Sequence, residues 1–126
     1  MRVLIVETQE ETRQTLGRVL EVFGRHEVVS AVSAAAGLGL LAQGERFDHI
    51  IAGHQLSGRM NGLEFFSAIR DLDEETPCTL LSNRSSVSEN SEVQLDSLCR
   101  LMDVHFALMP YDTDELIASL GSHPCK

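Results

Sequence analysis

Five times over, this chain alternates a short apolar run with a longer stretch in which apolar residues recur at three- and four-residue spacing. That pattern restricts the fold sharply. A strand without polar alternation must be buried on both faces, which is the condition of a parallel sheet covered by helices on its two sides. Val3 to Val6 is the first such run. Thr8-Gln9-Glu10-Glu11 then fits a capping box with Thr8 as the cap, Leu16, Val19, Leu20 and Phe23 share one helical face, and Gly24 closes the helix. A second strand is expected over 27–32, followed by a helix capped by Ser33 that runs to about Gly44 and is weakened by Gly37 and Gly39. The third strand is expected over 47–53. Asn61-Gly62-Leu63-Glu64 opens a third helix with Phe65, Phe66, Ile69 and Leu72 on its apolar face, and the turn is placed between Asp71 and Pro77. A fourth strand over 78–81, a polar stretch and a helix presenting Leu95, Leu98, Cys99 and Met102 come next. The fifth strand, over 104–108, precedes a last helix over 112–120 with Leu116, Ile117 and Leu120, ended by Gly121, beyond which the tail is expected to be irregular.

Length and charge narrow the function. At 126 residues the chain is read as one domain, and with 43% apolar residues it has no uninterrupted apolar run near the roughly 20 residues of a membrane span. The amino terminus passes directly into a strand, so a cytoplasmic location is expected, with no membrane partner. Cys78, Cys99 and Cys125 are an odd set without close spacing, which favours reduced thiols. A formal charge of -9 with only ten basic residues, scattered along the chain, argues against a nucleic-acid partner.

The segment Ile50-Ile51-Ala52-Gly53-His54-Gln55-Leu56-Ser57-Gly58-Arg59-Met60-Asn61-Gly62 reads as a buried strand, a loop and a helix start. It resembles the phosphorylation loop of the bacterial response-regulator receiver domain, where the strand ends in the aspartate that takes phosphate. Here Gly53 stands at that place. The resemblance extends over the whole chain. It implies a flavodoxin-like (βα)5 three-layer α/β sandwich with strand order 2-1-3-4-5 and a site at the carboxyl ends of the strands. Where a receiver has two acids that hold magnesium, this chain has Glu7 and Thr8. Ser82 keeps the hydroxyl of the fourth strand, Phe106 the switch aromatic and Pro110 the proline of the Lys-Pro pair, while Met109 replaces the lysine. The Lys-Pro bond of receivers is commonly cis, so Met109-Pro110 is expected to be cis as well.

These substitutions have a chemical consequence of their own. Phosphoryl capture by a carboxylate needs a nucleophile, a divalent cation and usually a fixed ammonium on the equatorial oxygens. Gly53 has no side chain and Met109 no charge. Glu7 alone would bind magnesium poorly, because that ion wants near-octahedral oxygen ligands including one or two carboxylates. The expectation is a degenerate pocket of Glu7, Thr8, Gly53, His54, Ser82 and Met109 with no catalytic residue, no metal and no cofactor. Asp48 as a displaced acceptor lies roughly 16 Å from the carboxyl end of its strand at about 3.3 Å per residue. His54 is read as a polar loop residue, with a phosphate acceptor on nitrogen, or a metal ligand beside Glu7, as alternatives. His26, His49, His105 and His123 lack metal-ligand spacing and are read as surface or partner residues.

The space left at Gly53 is open to a neighbouring side chain, to water or to a small ligand. Two functions follow. One is a phosphorylation-independent adaptor, a pseudo-receiver that docks a sensor kinase, a regulator, an output domain or a second copy of itself through its fourth helix, fifth strand and last helix, with Arg84, Arg100, His105 and Phe106 as candidate contacts. The alternative is a small-ligand sensor using the emptied pocket. Neither is an enzyme. The polar stretch 84–91 is longer than its receiver counterpart and reads as a loop, and the last helix lacks Lys and Arg, which disfavours the charge-paired receiver dimer.

Overall fold

A computed structural model describes residues 2–22, 24–54, 56, 58–72, 76–83 and 89–109. In chain order these form β1 (Arg2–Val6), α1 (Glu10–Val22), β2 (Glu27–Ala31), α2 (Ala34–Ala42), β3 (His49–Gly53), α3 (Gly62–Asp71), β4 (Cys78–Asn83), α4 (Glu89–Leu101) and β5 (Val104–Met109). The sheet order is β2-β1-β3-β4-β5, all neighbours parallel. This is the expected doubly wound arrangement. The last helix, the Met109-Pro110 bond, Arg84 and the tail fall outside the described residues.

Alternate residues of each central strand feed opposite layers, as the pleat requires. Leu4, Val6, Ile50, Ala52, Cys78 and Leu80 join Ala34 of α2, Phe65, Phe66 and Ile69 of α3, and Cys99 of α4 in one core. Val3, Ile5, Ile51 and Leu81 join Leu16 and Leu20 of α1 in the other. The continuous apolar runs are thus explained by burial from both sides.

Local signals hold where a short-range partner exists. Ser33 caps α2 by accepting the Ala36 N–H at 3.1 Å. Asn61 and Glu64 form a reciprocal capping box, Glu64 N–H to Asn61 Oδ1 at 2.8 Å and Asn61 N–H to Glu64 Oε1 at 3.0 Å.

The structure corrects several expectations. The first helical bond of α1 runs from Arg13 N–H to the Gln9 carbonyl, which puts Gln9 rather than Thr8 at the N-cap. The Thr8 hydroxyl donates instead to the Val32 carbonyl at 2.9 Å, tying the β1–α1 loop to the end of β2. Leu72 and Leu98, both assigned to apolar faces, are 63% and 44% exposed: Leu72 is the C-cap of α3, beyond its last buried residue Ile69, and Leu98 stands beside Cys99, which α4 buries. β3 begins at His49 rather than residue 47, and β4 continues to Asn83. His49 is no surface residue: it is buried in β3, with Nε2 2.8 Å from the Thr79 hydroxyl on β4. A polar pair inside the core leaves no mark in an apolar pattern, and its cost is met by the hydrogen bond.

Candidate functional site

The carboxyl ends of β1, β3 and β4 bring Glu7, Gly53 and Ser82 to one edge of the sheet. Each is fixed by backbone pairing. Glu7 N–H donates to the Ala31 carbonyl at 3.0 Å and His54 N–H to the Leu81 carbonyl at 2.7 Å. Gly53 pairs with Leu81, Ser82 with Leu108, and Asn83 with Met109 at the end of β5. Asp48 lies at the opposite edge, where its carboxylate accepts the Arg2 N–H at 2.7 Å.

The space that a side chain at Gly53 would first enter is occupied. A Cβ built on it would lie 2.7 Å from Glu7 Oε1, 3.2 Å from Glu7 Cδ and 3.3 Å from Glu7 Oε2. The Glu7 carboxyl, only 5% exposed, therefore occupies the space that any side chain at position 53 would enter. Gly53 does not have a left-handed backbone, so the need for glycine here is steric.

Glu7 is held at its other oxygen by the start of α1, where Gln9 N–H donates to Oε2 at 3.2 Å. Arg13 braces the same loop by donating from Nη1 to the carbonyls of Glu7 and Thr8 at 2.9 and 3.3 Å. Burial raises the Glu7 pKa above the ordinary carboxyl value, opposed by the backbone N–H groups of Gln9 and Thr8 and by the charge of Arg13. A raised folded-state pKa means that the stabilising contribution is fully present below the unfolded-state value and is lost as pH rises through the folded-state value. Glu7→Gln, which keeps shape and an acceptor but cannot ionise, is expected to be more stable than the wild type at neutral pH. The two should converge at acid pH in paired thermal melts. A constant difference at all pH values would show that ionisation of Glu7 carries no cost.

His54 is half-buried, and burial lowers its pKa, which favours the neutral ring. Its carbonyl accepts the Gly62 N–H at 2.8 Å, closing the β3–α3 loop onto the first residue of α3. Ser82 is buried, 3% exposed. Phe106 lies partly buried against the core beneath α2, α3 and α4, while His105 is exposed on β5. Arg100 is on the outside of α4, 79% exposed, and pairs with Asp96 at 3.1 Å. No group of three or more His, Cys, Asp or Glu side chains among the described residues converges to hold a metal ion. No described helix is long and apolar enough to cross a membrane.

At this edge the sequence named Glu7 but not its contact with Gly53, and it missed Arg13. The placement of Glu7 over Gly53 depends on a glutamate reaching across from β1, and nothing local signals it. Arg13 had a partial signal, since an arginine four residues after a helix cap can reach back to the preceding loop. A groove of about 480 Å³ between α1 and β2, lined by Arg13, Gly17, Arg18, Val28 and Ser30 among others, was equally unforeseen.

Residues 3–97 match the family model of the response regulator receiver domain. Among solved structures, a receiver domain protein from Clostridium thermocellum aligns with a TM-score of 0.82 over 97% of this chain and 92% of that chain at 15% identity. The Vibrio cholerae chemotaxis protein CheY4 gives 0.79 over 97% of each chain at 25% identity. NtrX from Brucella abortus gives 0.81 at 22% identity, covering 97% of this chain and 26% of that one. A comparison with curated protein sequences finds no match. Strand order, the Asn61-Gly62 helix start and a match spanning β1 into α4 agree, and the chain belongs to the response regulator receiver domain family.

Proposed function

We propose that this receiver domain, a module of two-component signalling, is a pseudo-receiver that acts through protein-protein contact and takes no phosphoryl group on an aspartate. The observation that carries the reading is the contact at Gly53: the acceptor position has no side chain, and the space beside it is filled by the Glu7 carboxyl. A nucleophile is absent at residue 53, the ammonium is absent at Met109, and Thr8 has no carboxylate to share a cation with Glu7. The same contact weighs against the small-ligand sensor, since the space immediately beside Gly53 is taken by the Glu7 carboxyl.

Receiver domains work with kinases and output domains, and a partner of that kind, or a second copy of this chain, is the proposed occupant of the α4–β5 face. Support comes from its chemistry. Leu98 and Leu101 are 44% and 83% exposed beside Arg100 and Ser97, giving an apolar ridge with a charge next to it. His105 adds a polar group on β5, and the Phe106 position is proposed as a static part of this face.

The test is intact mass after incubation with acetyl phosphate and magnesium, which is expected to be unchanged. Addition of one phosphoryl group would overturn the reading, and its loss on His54→Ala would transfer the chemistry to the imidazole. In a pull-down against the cognate kinase, Arg100→Glu is expected to cut recovery several-fold, with no dependence on the phosphodonor. Equal recovery of variant and wild type would remove the α4 face from the interface.

A further inference from the structure

Gly53 and Gly62 lie at the same loop, yet they are crowded by different things. At Gly62 the obstacle is backbone, the carbonyl of Gly53. At Gly53 it is the far end of one flexible side chain, Glu7. That side chain is nonetheless buried and anchored, with Oε2 on the Gln9 N–H and Oε1 2.7 Å from where a Cβ at residue 53 would sit. It thus spans from the first turn of α1 to the end of β3. The Gly53 carbonyl in turn abuts Gly62, whose N–H binds the His54 carbonyl. A continuous line of contact runs from the β1–α1 loop through Glu7 and Gly53 to the start of α3.

We propose that Glu7 is a built-in occupant of the acceptor position, a side chain that wedges the β1–α1 loop against the β3–α3 loop and holds both in one arrangement without any external ligand. Glu7 and Gly53 form a matched pair, in which the glycine is the housing and the glutamate the plug. The proposal rests on the reading that the site takes no phosphoryl group, and it names what stands there instead. Shape is what the wedge supplies. A buried, net-disfavoured charge adds nothing to it, so Gln should serve at position 7 and Ala should not.

A double-mutant cycle on the full chain, read by thermal unfolding, tests the pairing. Gly53→Ala in the wild type pushes its methyl into the carboxyl and is expected to lower the midpoint. In a Glu7→Ala background the same methyl enters the hole and is expected to leave the midpoint unchanged or raise it. An equal loss in both backgrounds overturns the proposal. If Glu7→Ala does not fold, Glu7→Ser takes its place in the cycle. Amide exchange gives an independent readout in Gly53→Ala alone: the Gln9 N–H, deprived of its acceptor, should exchange several-fold faster, and the Gly62 N–H should follow as the loop loosens. Unchanged protection at Gln9 would mean the carboxyl was never displaced, and the wedge would fall. The two readings fail separately. Phosphoryl uptake by the wild type sinks the pseudo-receiver whatever the cycle shows, whereas an additive cycle sinks the wedge and leaves the pseudo-receiver standing.

Discussion

Replacing Gly62 with alanine should destabilise the protein by about 3 kcal/mol, at the upper end of the usual cost of overpacking. The added methyl would fall far inside van der Waals contact of the Gly53 carbonyl oxygen and 2.8 Å from Leu80 Cδ1. Neither neighbour can retreat cheaply. Gly53 is paired within the sheet to Leu81, and Gly62 is fixed by its own bond to the His54 carbonyl and by the Asn61–Glu64 capping box that starts α3. Gly62 does not have a left-handed backbone, so the whole penalty is steric rather than conformational. For a chain of this size the loss corresponds to a midpoint roughly 10 °C lower. An unchanged melting midpoint would show that α3 can slide away from the sheet edge, and the fixed geometry claimed for the β3–α3 loop would be wrong.

The second large effect is expected at Arg70. Its guanidinium, on α3, donates to three carbonyls that lie outside helix and strand: Met102 from Nε at 2.8 Å, Thr76 from Nη1 at 3.0 Å and Asp103 from Nη2 at 3.0 Å. It thereby ties the end of α4 and the approach to β4 to the last turn of α3. Asp103 carries a positive φ of 57°, so the turn it closes is a conformation that the clamp helps to hold. Hydrogen bonds to a charged donor contribute about 1.5–3 kcal/mol each when shielded. Because this site is partly open to water, Arg70→Ala is expected to cost about 3 kcal/mol in total rather than three times the single value. Arg70→Lys should recover little, since one ammonium cannot reproduce a planar fork over three acceptors. Urea unfolding with an unchanged slope would read the loss directly. A lysine variant as stable as the wild type would show that charge alone, not the fork, holds this corner.

Sequence patterns were most informative where the physics is local or averaged over many residues. Val3 to Val6 and Ile50 to Gly53 lie in strands because every face of them is covered, and that demand writes itself into an unbroken apolar run. Ser33 and Asn61 cap helices because their partners are only three residues away. Such signals fail at the margin of an apolar face. Leu72 follows Ile69, the last buried residue of α3, and Leu98 stands beside the buried Cys99, so both keep helical spacing and yet are exposed.

Sequence alone determined that residue 53 carries no carboxylate and residue 109 no ammonium, facts of identity that no folding can reverse. What stands beside Gly53 was decided by tertiary structure. Glu7 reaches Gly53, His49 meets Thr79 and Arg70 finds Met102 across long stretches of chain, and such pairings depend on sheet order and register rather than on any residue's immediate neighbours. Once β1 and β3 lie side by side with their carboxyl ends together, a long acid at the end of one and a bare backbone at the end of the other become a single packed unit.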